Sequence, residues 1–177
     1  MMNTTNSSYT PVAKAFHWLM AVLILGVLVL GLTMQDLPLS PRKLELYSWH
    51  KWFGVTIFGL VWLRLALRLT HPPPPLPESL SPRIRRLSAV GHATLYGLMI
   101  VIPLSGWLMS SAKGFQTVWF GIVPIPDLIG RDRELGDLLQ TVHKALNVIL
   151  MLTLAGHIAA ALWHHFVLKD DTLRRIR

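Results

Sequence analysis

Long apolar stretches alternate with short polar ones along the whole chain. Four apolar stretches stand out, at about residues 15–34, 47–69, 87–109 and 140–168. Each is long enough for an α-helix that crosses a hydrocarbon core about 30 Å thick, which takes about 20 residues. The pattern predicts an all-α membrane protein, built as a four-helix transmembrane bundle. The first stretch is longer than the apolar part of a signal peptide, so we expect a retained helix there.

The composition supports a polytopic membrane protein with one domain over residues 1–177. Of the 177 residues, 52% are hydrophobic and 15% are charged, and the mean hydropathy is +0.45. The net charge of +8 raises the question of a nucleic-acid partner. The basic residues collect at the ends of the apolar stretches, however, so we expect contact with a lipid bilayer and none with nucleic acid. The chain has no cysteine, which excludes disulfides, thiolate-held iron–sulfur clusters and covalently attached haem.

Basic residues also indicate how the bundle is oriented. The side that carries the N-terminus, the region 64–86 and the C-terminal tail has ten of them: Lys14, Arg64, Arg68, Arg83, Arg85, Arg86, Lys169, Arg174, Arg175 and Arg177. The other side has seven: Arg42, Lys43, Lys51, Lys113, Arg131, Arg133 and Lys144. Cytoplasmic loops carry the excess of lysine and arginine, so we expect both termini in the cytoplasm.

The connections between the stretches differ in character. In the second connection, His71 is followed by four prolines at 72–75, which predicts an extended polyproline segment. The third connection, residues 110–139, is long and contains Trp119-Phe120-Gly121. A short helix on the outer surface is one possibility for this segment, and the sequence leaves it open.

Histidines in the apolar stretches are the main candidates for chemistry, because ionisable side chains are costly to insert into a membrane. His143 and His157 lie in the last stretch, fourteen residues apart. In a helix this spacing is a rise of about 21 Å, with the two side chains within about 40° of the same face. Given the predicted helix directions, His17 shares the inner level with His157, and His50 shares the outer level with His143.

Two imidazoles from different helices at one depth are typical of a haem held within a helical bundle. We therefore expect two b haems, one at the inner pair and one at the outer pair. An iron with two imidazole ligands has no vacant position, which suits electron transfer rather than oxygen binding. The alternatives are helix-packing histidines and a proton or metal pathway. Zinc is disfavoured because no carboxylate or further histidine completes a tetrahedral set at the outer level.

Four basic residues near the predicted haems have two interpretations each. Arg64 and Arg68 are candidates to pair with haem propionates, or they anchor the inner end of the second helix at lipid headgroups. Lys51 and Lys113 are candidates to attract a small anion at the outer side, or they are ordinary surface lysines.

Several motifs along the chain resemble the bacterial cytochrome b561 family. They are Phe16-His17-Trp18, Trp49-His50-Lys51, the Arg64 and Arg68 pair before a proline-rich loop, His92 with Tyr96, Pro103 and Gly106, Trp119-Phe120-Gly121, and the run from Gly156 to His165 followed by Lys169-Asp170 and Leu173. The resemblance covers nearly the whole chain, and its histidine pattern is fairly specific.

The resemblance implies a four-helix cytochrome of the bacterial inner membrane. Its two b haems are liganded at the positions that match His17, His50, His143 and His157. The family includes a superoxide oxidase that takes electrons from superoxide outside and reduces ubiquinone near the inner face. The quinone contacts of that member match His92 and His164. His164 lies about 10 Å further along the helix than His157 on nearly the same face, which is compatible with that role.

Two other functions remain open from the sequence. One is a haem b electron-transfer subunit that serves a soluble redox partner on the outer side. The other is a haem-free transporter of protons or metal ions. The resemblance favours an oxidoreductase of the superoxide:ubiquinone type over both.

Overall fold

The computed structural model describes residues 8–75 and 80–177, and these residues form a bundle of long helices. The helices are α1 (Pro11–Gln35), α2 (Pro41–Thr70), α3 (Pro82–Ala112) and α4 (Arg133–Trp163). A π-helical turn, His164–Leu168, continues α4. All four helices are long and apolar enough to cross a membrane. The predicted fold class, a four-helix membrane bundle, is confirmed.

The helices begin several residues before the predicted apolar stretches. Thr10, Ser40 and Ser81 cap α1, α2 and α3, and each of these caps is followed by a proline at the first helical position. Asp132 caps α4, where its side chain accepts a hydrogen bond from the amide of Leu135 at 3.0 Å. Such caps satisfy free N–H groups at a helix start. The first turns of the helices are polar, so hydrophobicity alone predicts helix starts that lie several residues too far along the chain.

The long connection between α3 and α4 contains a β-hairpin. Strand β1 (Val118–Trp119) pairs antiparallel with β2 (Val123–Pro124). Phe120 and Gly121 make the turn with positive φ angles of 49° and 71°. This segment therefore forms a hairpin, and not the surface helix that the sequence left as a possibility.

Two indole N–H groups attach the hairpin to α2. Trp52 Nε1 donates to the carbonyl oxygen of Val118 at 2.6 Å, and Trp119 Nε1 donates to Thr56 Oγ1 at 3.2 Å. The hairpin consequently lies beside the turn of α2 that carries His50.

Consecutive helices pack side by side around a narrow apolar core. One buried cluster joins Met20, Ile57, Val61 and Met99, and a second joins Leu98, Ile102 and Leu150. Large apolar side chains also point outward, as Val22 (68% exposed) and Leu152 (70% exposed) illustrate. An apolar exterior over an apolar core is what a lipid-exposed bundle requires.

The two described ends of the chain meet at one end of the bundle, which we call the inner end; the hairpin lies at the outer end. The amide of Tyr9 donates to the carbonyl oxygen of Arg175 at 3.1 Å. The Trp18 indole donates to the carbonyl oxygen of Ile176 at 3.0 Å. An even number of spanning helices explains why the termini share one end.

Candidate functional site

The outer pair of imidazoles is formed by α2 and α4. The rings of His50 and His143 lie next to each other, with centroids 6.3 Å apart and planes 79° from parallel. These residues are 93 positions apart in the chain (143 − 50), so only the fold brings them together. The structure thus brings together the two residues that the depth argument paired.

Two glycines leave space for these rings. A Cβ added at Gly31 of α1 would lie 3.1 Å from Cε1 of His50, and a Cβ added at Gly106 of α3 would lie 3.1 Å from Cε1 of His143. Carbon atoms in ordinary contact are about 3.5–4.0 Å apart. A larger residue at Gly31 would therefore displace the imidazole of His50, and a larger residue at Gly106 would displace the imidazole of His143.

The outer imidazoles are oriented by hydrogen bonds at their Nδ1 atoms. Nδ1 of His50 lies 3.1 Å from the carbonyl oxygen of Val27, which only accepts, so this nitrogen carries the proton. Nδ1 of His143 lies 2.9 Å from Ser105 Oγ, whose own hydroxyl donates to the carbonyl oxygen of Ile102 at 2.7 Å. His143 therefore also donates from Nδ1. Both Nε2 atoms keep a lone pair, as in metal-binding histidines whose other nitrogen donates to a second group.

The inner pair is formed by α1 and α4. The rings of His17 and His157 have centroids 6.4 Å apart. Two imidazoles on opposite sides of one metal ion, each about 2 Å from it, have ring centroids about 6.3 Å apart. Both pairs match this separation, so the donor sets fit a haem iron with two axial histidines.

Arg64 contacts the inner pair and makes it different from the outer one. Its Nη2 donates to Nδ1 of His17 at 2.8 Å, since a guanidinium cannot accept a hydrogen bond. Arg64 and Arg68 both lie over the ring of Tyr96, at 5.7 and 5.8 Å from its centroid. In this contact Nδ1 of His17 is the accepting nitrogen. Binding a metal ion through Nε2 requires the Arg64 guanidinium to turn to another acceptor.

The two residues that the resemblance matches to quinone contacts lie in different surroundings. The ring of His92 packs edge-on against His157, with centroids 5.4 Å apart. Nδ1 of His164 bonds to Oδ2 of Asp170 at 2.6 Å. Both residues are towards the inner end, and among the described contacts His92 and His164 do not touch each other.

The two outer lysines differ in how far their charge is compensated. Nζ of Lys113 lies 3.0 Å from Oδ1 of Asp137 and also contacts Gln140 Oε1. Nζ of Lys51 donates to the carbonyl oxygen of Phe115 at 2.8 Å, which is a neutral acceptor. The carboxylate of Asp127 also acts on Lys51, but from beyond ion-pair distance, whereas Asp137 forms a direct ion pair with Lys113. Of the two lysines, Lys51 therefore carries the less compensated positive charge.

The sequence analysis does not identify the groups that contact the paired histidines. Gly106 was noticed only as part of a resemblance, and Gly31 and Ser105 were not singled out. Each lies on a different helix from the histidine that it contacts, so no local spacing marks it. Within the described residues, no cluster of three or more histidine and carboxylate side chains has the arrangement of a bare metal site.

A four-helix membrane bundle with an imidazole pair at each of two levels has the architecture of a membrane cytochrome of the b type. The chain belongs to the prokaryotic cytochrome b561 family, whose model matches residues 8–177. It is therefore a bacterial membrane protein of electron transfer, and the family implies haem b as its cofactor.

Relatives of similar length support this membership. Cytochrome b561 homolog 2 of Escherichia coli K12 is 35% identical, over 99% of this chain and 95% of that protein. The probable superoxide oxidase CybB of Yersinia pestis is 30% identical, over 97% of this chain and 96% of that protein. Cytochrome b561 homolog 1 of Escherichia coli K12 is 26% identical, over 77% of each chain.

Proposed function

We propose that the protein is a di-haem cytochrome of the bacterial inner membrane that carries electrons from an external donor, superoxide, to ubiquinone near the cytoplasmic face. The observation that carries this proposal is the pairing of four imidazoles at two levels, with ring centroids 6.4 and 6.3 Å apart. Two superoxide anions and two protons would convert one ubiquinone to ubiquinol and release two molecules of oxygen.

The chain would hold one haem between His17 and His157 and the other between His50 and His143. Bound b haem would supply one-electron chemistry at each of the two levels. Hydrogen bonds at Nδ1 hold the two outer imidazoles in the tautomer that ligation through Nε2 requires. At the inner level, the Arg64 guanidinium would release its hydrogen bond to Nδ1 of His17 and donate to an anionic acceptor instead.

The donor side is supported by the outer charges and by a relative. The 30% identical Yersinia pestis protein is described as a probable superoxide oxidase. Lys51 directly follows His50, and within residues 8–75 and 80–177 the hydrogen-bond partner of its ammonium group is a neutral carbonyl oxygen. A cation beside the outer level raises the local concentration of a small anion.

The acceptor side is supported by the spare imidazoles at the inner end. His92 contacts the ring of His157, and His164 lies seven residues beyond His157. The rings of His92 and His157 are closer together, at 5.4 Å, than two imidazoles that share one metal ion, and His164 is paired with Asp170 rather than with another imidazole. Both side chains are therefore available to hydrogen-bond quinone oxygens and to supply protons.

Haem content tests the pairing directly. Purified protein is expected to contain two b haems per chain, and His143→Ala and His157→Ala are each expected to contain one. The loop variant His71→Ala is the matched control and should retain both haems. A colourless wild-type protein would contradict the proposal and favour a haem-free transporter. Loss of both haems, or of neither, in His143→Ala would contradict the pairing of the histidines.

Rapid mixing with superoxide tests the donor. Haem reduction should approach the diffusion limit and slow as the ionic strength rises. Lys51→Gln should slow it more than Lys113→Gln, because the charge of Lys113 is already paired with Asp137. If haem is present but superoxide does not reduce it, the protein instead serves a soluble partner on its outer side.

A further inference from the structure

The end of α4 turns the chain back onto the helix itself. After the π-helical turn His164–Leu168, Lys169 adopts a left-handed conformation with φ 51° and ψ 34°. The amides of Lys169 and Asp170 both donate to the carbonyl oxygen of His164, the latter at 3.1 Å. This reversal returns the Asp170 carboxylate to the imidazole of His164.

The contact between Asp170 and His164 is short and shielded from solvent. Nδ1 of His164 donates to Oδ2 of Asp170 at 2.6 Å, and the two side chains are only 12% and 16% exposed. Oδ1 of Asp170 accepts a second hydrogen bond from the amide of Thr172 at 2.9 Å. Burial raises the pKa of Asp170, but the bonds from His164 and Thr172 outweigh it and hold the pKa below its ordinary value.

This contact decides which nitrogen of His164 is available. A carboxylate only accepts, so Nδ1 of His164 carries the proton. Within the described residues, Nε2 of His164 has no hydrogen-bond partner. The contact thus fixes the ring and leaves Nε2 to act on another molecule.

The C-terminal tail holds this arrangement in place. The carbonyl oxygen of Arg175 accepts a hydrogen bond from Ser8 Oγ at 3.0 Å. The Nη1 atom of Arg175 donates to the carbonyl oxygen of Pro75 at 2.6 Å. The Trp18 indole bonds to the carbonyl oxygen of Ile176. These bonds join the tail to α1 and to the proline-rich loop, so Asp170 belongs to a docked segment rather than a free end.

We propose that Asp170 is a positioning residue for ubiquinone reduction, which holds the His164 imidazole so that its Nε2 donates a proton to the quinone. This inference rests on the proposed function. Reduction of one quinone takes two electrons from two one-electron donor molecules and two protons. From the doubly protonated ring of His164, one proton moves from Nε2 to a quinone oxygen, and the ring keeps its other proton on Nδ1 against Asp170. The second proton for the quinone comes from water, and water then returns a proton to Nε2. Asp170 stays ionised and stabilises the protonated ring, as carboxylates do for catalytic histidines.

The test compares Asp170→Ala and Asp170→Asn with Asp171→Ala in haem-loaded protein. Asp171 is the matched control, since it is the adjacent carboxylate and, among the described residues, forms an exposed ion pair with Arg174. Ubiquinone turnover should fall about 10- to 100-fold in Asp170→Ala and less in Asp170→Asn, because general acid catalysis is worth about 10²- to 10⁴-fold and the imidazole remains. The KM for ubiquinone and the haem content should not change. Asp171→Ala should match the wild type.

A spectroscopic measurement separates positioning from a structural role. At mildly alkaline pH, ¹⁵N spectra of histidine-labelled protein should show the proton of His164 on Nδ1 in the wild type. In Asp170→Ala it should move largely to Nε2. Wild-type turnover in Asp170→Ala, an unmoved proton, or haem loss in both Asp170 variants would each overturn the inference. A separate His164→Gln variant with wild-type turnover would instead contradict the quinone site of the proposed function.

Discussion

Gly31 and Gly106 leave space for the outer imidazoles because they have no side chain. An alanine at Gly31 or Gly106 would bring a Cβ to 3.1 Å from an imidazole carbon. We expect Gly31→Ala and Gly106→Ala to reduce outer haem occupancy to less than about half, in line with the effect of disturbing supporting groups at metal sites. The inner haem should be retained. Haem content per chain and the haem absorption spectrum measure both quantities.

The same two helices supply matched controls. Gly26 of α1 and Gly97 of α3 have open space around an added Cβ. Alanine is favoured over glycine inside a helix by about 1 kcal/mol. Gly26→Ala and Gly97→Ala should therefore keep both haems at unchanged or higher thermal stability. Equal haem loss in all four variants would show that the contacts at Gly31 and Gly106 do not matter.

Ser105 acts on the outer site through one hydrogen bond. Ser105→Ala would leave the Nδ1 proton of His143 without its acceptor in a buried place, since Ser105 is only 5% exposed. We expect outer haem affinity to fall about 10- to 100-fold, the usual loss when such a partner of a metal-binding histidine is removed. Haem transfer to apomyoglobin measures the effect. Ser48→Ala removes a hydrogen bond to the Leu44 carbonyl oxygen within α2, so this variant should release haem at the wild-type rate.

At the scale of elements, the β-hairpin depends on the indole of Trp119. Trp119→Phe keeps an aromatic ring but removes hydrogen bonds to the Trp52 carbonyl oxygen and Thr56 Oγ1. Each such bond stabilises by about 0.5–1.5 kcal/mol. Amide hydrogen exchange at Ile122 and Ile125 should therefore become about tenfold faster.

Trp62 of α2 provides the comparison for this measurement. Its side chain is 50% exposed, and its ring meets Phe58 rather than the hairpin. Trp62→Phe should leave exchange in the hairpin unchanged. Unchanged exchange in Trp119→Phe as well would show that other contacts hold the hairpin on α2.

Helix starts were predictable from a signal other than hydrophobicity. A threonine or serine followed by proline occurs at Thr10-Pro11, Ser40-Pro41 and Ser81-Pro82, at the start of α1, α2 and α3. This pair is a start signal because the side-chain oxygen caps the helix and proline needs no hydrogen-bond acceptor there. The hairpin was harder to predict, since its strands are two residues long and are stabilised by tryptophans on two separate segments.

For the whole molecule, the distribution of basic residues predicts the orientation. The chain has no cysteine, so single introduced cysteines can be labelled without background. Leu39, 83% exposed, lies in the turn between α1 and α2, and Arg174 lies in the tail with a side chain 67% exposed. In spheroplasts, an impermeant maleimide should label Leu39→Cys directly and Arg174→Cys only after permeabilisation. The reverse result would place both termini outside.

The sequence by itself determined the spanning helices and the depth of each histidine. A helix rises by a constant amount per residue, and an apolar stretch must lie across the hydrocarbon layer, so position in the stretch predicts depth. Matched depths were enough to pair His17 with His157 and His50 with His143 before any contact was known.

Only the tertiary structure decided what each imidazole touches. Rotation of the helices about their axes and their packing determine that Gly31 faces His50, that Arg64 reaches His17 and that Asp170 returns to His164. The first two contacts join different helices, and the third depends on a left-handed residue after α4. Such contacts arise from the packing of the whole chain, because no spacing within one helix encodes which neighbour its side chains will meet.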